Sequence, residues 1–129
     1  MFKLIKINNS PSNVPEIETL TKLISLKTKT GEAIKTMDGR GQHCSSDELP
    51  THITCCEAVG GETTLKAYRI TKDMVFEVEY TGSTALYVGA RVPMDNKGTG
   101  CMCSVGEPDG AGPFLVVGSN GNNAIVVLY

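Results

Sequence analysis

The 129-residue chain is 40% apolar, with no Trp, 14 Gly and 6 Pro, a composition that suits one domain of short strands and many turns better than a helical bundle. Its formal net charge of −2 gives no reason to expect nucleic acid or a membrane as partner, although residues 1–30 carry five Lys against two Glu and the remainder seven basic against twelve acidic residues. No stretch approaches the roughly eighteen apolar residues of a membrane span or the apolar run of a signal peptide. The expectation is therefore synthesis in the cytoplasm, with Cys44, Cys55, Cys56, Cys101 and Cys103 as reduced thiols.

Residues 1–22 read as an extended N-terminal arm, separate from a single β domain at 23–129. If residues 2–7 are extended, Phe2 and Leu4 share a face with Lys6, and Ile5 and Ile7 share the other with Lys3, so neither face is cleanly apolar. Pro11 and Pro15 favour extended backbone around them. A short helix over 15–26 is a second reading, because Ile17, Leu20, Leu23 and Ile24 recur at helical spacing. As an arm, the segment is able to add its first seven residues as a strand to a partner's sheet.

The body begins near Thr30. Residues 31–37 predict a strand, Asp38 and Gly39 a tight hairpin turn, and 40–44 the return strand. Residues 51–57 (THITCCE) predict a strand that Gly60 and Gly61 close, and 63–70 lead into the most regular stretch of the chain. There, Met74, Phe76, Val78 and Tyr80 point one way while Val75, Glu77 and Glu79 point the other, the period of a half-buried strand. Two short extended pieces at 86–92, with Pro93 at a strand end, precede a strand at 99–105. The loop GEPDGAGP and a closing pair at 114–117 and 124–129 complete a mainly β fold. About eight short strands predict a small β-sandwich or barrel-like body.

Chemistry-bearing groups are sparse. Cys101 and Cys103 share a face if their segment is a strand, and Cys55 with Cys56, or His43 with Cys44, are the candidates for completing a metal site around them. However, no C-x2-C pair exists, and adjacent strand residues point to opposite faces. The chain is therefore read as having no metal and no cofactor. His43 beside Cys44 and His52 near Cys55 are nucleophile–base candidates with no helix N-terminus to activate a thiol. The carboxylate pairs Asp47 with Glu48 and Glu77 with Glu79 lack the apolar setting that would separate their pKa values. The glycine-rich loops lack the Lys and following helix of a phosphate cradle. No catalytic residue is assigned, and the chain is read as not an enzyme.

Several blocks taken together carry a resemblance: GEAI at 31–34, PTHI at 50–53, YRITKDMVFEV at 68–78, VGARV at 88–92, and a terminal G-x4-VVLY. In their order they resemble the capsid decoration (head-stabilising) proteins of tailed bacteriophages and prophages of Gram-positive hosts. The resemblance implies a β body with an extended arm that adds a strand to the major capsid protein, with Phe2, Leu4, Ile5, Ile7 and Val14 as the arm's anchors, and a body that can form a homotrimer on the capsid exterior. It implies a non-enzymatic virion structural protein that stabilises contacts between capsid subunits. The five cysteines depart from what such a fold needs. Alternatives are a small cytoplasmic metal- or thiol-dependent protein using the cysteines, or another β-rich virion component such as a head fibre base or tail part.

Overall fold

The computed structural model describes all 129 residues, and it contains strands and no helix. Twelve strands follow in chain order: β1 (Lys3–Ile7), β2 (Ile17–Lys22), β3 (Ala33–Met37), β4 (Arg40–His43), β5 (His52–Thr54), β6 (Thr64–Arg69), β7 (Met74–Tyr80), β8 (Arg91–Val92), β9 (Met94–Asp95), β10 (Ser104–Val105), β11 (Phe114–Asn120) and β12 (Asn123–Leu128). They form a closed five-stranded barrel, β2-β4-β3-β5-β6, and a seven-stranded sheet whose path runs β8-β11-β12-β7-β10-β9, with β1 branching from β7.

The barrel closes because every neighbouring pair finds a ladder, including the parallel contact of Thr21 and Lys22 with Arg40 and Gly41. Asp38 at φ 53° and Gly39 at φ 75° form the tight turn that pairs Met37 with Arg40, as the dipeptide predicts. Leu20, Ile34, Leu65 and Ala67 make up its small apolar interior. Polar groups occupy its ends, because Glu18, Leu20 and Lys22 alternate onto one face of β2. At one end His52 Nε2 meets Glu18 Oε1 at 3.3 Å. At the other the buried Lys22 ammonium donates to the carbonyls of Leu23, Ile24 and Leu26 and lies 3.4 Å from Glu62.

The sheet closes differently. Its two terminal strands, β8 and β9, are one length of chain interrupted by Pro93, so the path becomes a nearly closed barrel through a covalent corner. The glycine-rich loop at 106–113 packs over that corner. Arg91 donates to the carbonyls of Ala111 and Gly112, the Asp109 N–H donates to the Arg91 carbonyl, and a side chain at Gly112 would strike the peptide joining Val92 to Pro93. Eighteen buried residues fill the sheet and the space between it and the outer wall of the barrel. Phe2 stacks on Phe114 at 4.9 Å and meets Phe76 edge-on at 6.1 Å, while Tyr68 reaches in from β6.

Residues 1–22 are thus not a free arm in this fold, nor is 23–129 a separate unit. β1 pairs with β7, β2 is a barrel stave, and the helix considered over 15–26 is strand and loop. The mixed faces of the first seven residues have a specific cause. A register shift between Leu4 and Lys6 leaves Ile5 as a bulge, so Phe2, Leu4 and Ile7 turn inward and Lys3 and Lys6 outward. Met74, Phe76 and Val78 are buried as their alternation predicts. The predicted strands at 51–57, 86–92 and 99–105 shrink to His52–Thr54, Arg91–Val92 and Ser104–Val105, because turns at Cys55, Gly89 and Gly100 interrupt them. The closing pair instead lengthens, with only Gly121 and Asn122 between β11 and β12.

Candidate binding surface

Of the five residues assigned as anchors, Phe2 is 1% exposed and is an aromatic core residue unavailable to a partner. Leu4 and Ile7 are half-buried against the same core. Only Ile5, 38% exposed on its bulge, and Val14, 79% exposed in the loop before β2, face solvent. β1 pairs with β7 along one edge; the Phe2 and Asn8 N–H groups go to the Gly31 and Asp73 carbonyls, and the Ile7 N–H goes to Asn13 Oδ1.

The outer face of the seven-stranded sheet carries a continuous cross-strand row. Lys6 lies opposite Val75, Val75 opposite Val127, Val127 opposite Leu115, and Leu115 opposite Arg91. Three apolar side chains, all half-buried, therefore sit between two cations. Ile125 flanks the row, and Val117 joins it from a second bulge, between Val116 and Gly118, exposed at 42%. Arg91 is held at its end by the Tyr129 ring, 4.0 Å from the guanidinium carbon. The sequence hinted at this surface in the run from Ile125 to Leu128, which reads as a strand covered on both faces. One face is covered by the core, and the other is only half-covered by its own neighbours.

The carboxylates have structural partners. Glu77 accepts from Asn123 Nδ2 at 2.7 Å, an interaction that lowers its pKa, and Glu79 pairs with Lys97 Nζ at 2.7 Å. Glu48 turns away from Asp47 to Lys35 and the Ser45 N–H, which hold it at about 2. Glu107 accepts from the hydroxyl and N–H groups of Ser83 and Thr84 and is likewise held at about 2.

The thiols do not assemble as a four-cysteine group. Cys55 packs against the main core, while Cys101 lies with Glu32 and His43. Burial is the first cause that pushes Cys44 up to about 12 and Cys101 up to about 11, and it raises Cys55 and Cys103 as well. Such thiols are protonated at neutral pH, whereas nucleophilic attack needs the thiolate. Each histidine turns to a carboxylate and not to its neighbouring cysteine: His43 Nδ1 to Glu32 at 2.6 Å and His52 Nε2 to Glu18. A polar cleft of about 680 Å³ lies beside Glu79, Tyr80 and the 119–123 turn. Compared with models of known protein families and with curated proteins, the chain matches none.

Proposed function

We propose that this chain is a non-enzymatic structural protein of a bacteriophage virion, seated on the capsid exterior, where it braces contacts between major capsid protein subunits. The observation that carries the reading is the row of Val75, Val127 and Leu115 with cations at both ends. An apolar strip on a hydrogen-bonded sheet binds through shape and buried area, with little ordering cost. Many such modest contacts add up over a repeating lattice. The resemblance of the sequence blocks to decoration proteins supplies the choice of partner. In this reading the contact is made by a sheet face, while Ile5 and Val14 are the anchors from the first 22 residues that remain exposed.

The test is co-sedimentation of the purified protein with expanded phage heads, beside the variants Val127→Lys and Leu115→Lys. Binding that saturates at a fixed number of copies per head, and weakens at least about tenfold in either variant, is the expected result; each lost apolar contact at an interface centre is worth about 1–2 kcal/mol. No binding to heads, or binding only to isolated tails, overturns the reading. Deleting residues 1–20 is not a clean test, because it removes Phe2, β1 and most of β2 from the fold.

A further inference from the structure

We propose that Glu32, His43 and Cys101 form a binding site for a borderline divalent cation of the zinc type, independent of the outer sheet face. One ligand atom from each of the three lies within 4.8 Å of the other two. Tetrahedral coordination, with bonds of about 2.0–2.1 Å to N and O and 2.3 Å to S, places ligand atoms about 3.3–3.6 Å apart. The 2.6 Å contact between Glu32 Oε2 and His43 Nδ1 then opens by less than about 1 Å, and the thiol, within 4.8 Å of both, closes by at most about 1.3 Å. His43 can accommodate that movement, since its side chain is 37% exposed at the rim of the barrel.

Each ligand is held by its own element. Antiparallel pairing sets His43 opposite Ile34, on the face that Glu32 shares two residues earlier. The Ala33 N–H donates to the Met102 carbonyl at 2.9 Å, which pins the Cys101 segment beside β3. Glu32 is fixed from behind: its Oε1 accepts from the Lys29 N–H at 3.2 Å, and its own N–H donates to Thr54 Oγ1 at 3.0 Å. Thr54 in turn donates to the Lys29 carbonyl at 2.5 Å, completing a supporting shell of the kind that orients metal ligands.

Charge and donor type point the same way. Glu32 is 0% exposed, and a fully buried carboxylate calls for a cation. One oxygen, one nitrogen and one sulfur favour zinc over the all-oxygen cations magnesium and calcium. Binding exchanges the Cys101 thiol proton for the metal, releases it to solvent, and leaves a fourth position for water on the open side of His43. The ion would tie β3 and β4 to the loop after β9, and so join barrel to sheet. Cys101 and His43 are among the metal candidates that the sequence offers, whereas the role of Glu32 depends on a register that spacing alone does not reveal.

The test uses the full chain, reduced and stripped with chelator, titrated with Co²⁺ and with Zn²⁺. Expected are one equivalent bound, a cobalt–thiolate charge-transfer band, and a rise in melting temperature. Cys101→Ser should abolish the band, and Cys101→Ser and His43→Gln should each weaken zinc by more than the roughly 10–100-fold that second-shell changes cost. Cys55→Ser and Cys103→Ser should leave both intact, and circular dichroism checks that each variant folds. Absence of stoichiometric binding to the wild-type chain, a band that survives Cys101→Ser, or one lost in Cys103→Ser overturns the assignment. None of these outcomes depends on capsid binding.

Discussion

The two halves of the molecule solve the same closure problem by different means. The five-stranded barrel is sealed by backbone ladders on every side, and its interior holds only four apolar residues with Glu18, His52 and Lys22 at the ends. The seven-stranded sheet is closed by the corner at Pro93 and carries three phenylalanines in an eighteen-residue core. Five of the six buried polar or charged residues, Lys22, Thr28, Glu32, His52 and Thr54, lie on the barrel side. A ring without free edges is specified by hydrogen bonds and tolerates polar contents that are paired; of the five, only Thr28 has a hydroxyl without a partner. A sheet joined through one proline must be held by what it buries.

The largest effect that would break this contrast is at Phe2. Phe2→Ala should cost about 3–5 kcal/mol and Leu65→Ala, in the barrel, about 2–3 kcal/mol, both read from urea denaturation. Equal costs would mean that the barrel depends on packing as much as the sheet does.

Next is the corner. Gly112→Ala drives a methyl group into the peptide between Val92 and Pro93, and a loss of about 1–3 kcal/mol is expected. Hydrogen exchange should speed up at the Gly106 amide, which donates to the Pro93 carbonyl at 3.0 Å, while barrel amides stay protected. Uniform loosening would deny the corner a local role.

The barrel should instead be sensitive to pH. Burial depresses His52 below its usual value of about 6.5, so it folds neutral. Below about pH 6.5 the unfolded chain takes up a proton that the folded one refuses until its lower pKa is reached. Stability is therefore full above that pH and declines as pH falls through the window. His52→Gln should flatten the slope between pH 7 and 5; an unchanged slope would assign it to other groups.

The smallest effect is expected at Gly41, where an added Cβ would meet the flexible tip of Leu65 at 3.1 Å. Gly41→Ala should shift stability by less than about 1 kcal/mol in either direction. A larger loss would show that the barrel interior cannot adjust.

What could be read beforehand followed local physics. The alternation from Met74 to Tyr80 and the turn at Asp38 and Gly39 each depend on neighbouring residues, and both are found where expected. The first 22 residues misled because a single bulge at Ile5 converts a clean inward and outward pattern into a mixed one. Pairing, not composition, decides that case. Two-residue strands such as Met94–Asp95 have no periodicity to detect and exist only because β10 lies beside them. The row of Val75, Val127 and Leu115 needs the register of three strands, and the approach of Cys101 to Glu32 needs the hydrogen bond between Ala33 and Met102.

The contact between Phe2 and Phe114 has a consequence for the order of events during synthesis. The barrel strands all lie between residues 17 and 69, so the barrel can close while later residues are still inside the ribosome. Phe2 and β1 must wait for β7, and then for β11, before they can be covered. For that interval the nascent chain carries an apolar strand with an unpaired edge, so its yield should depend on chaperones that shield such segments until the last forty residues emerge.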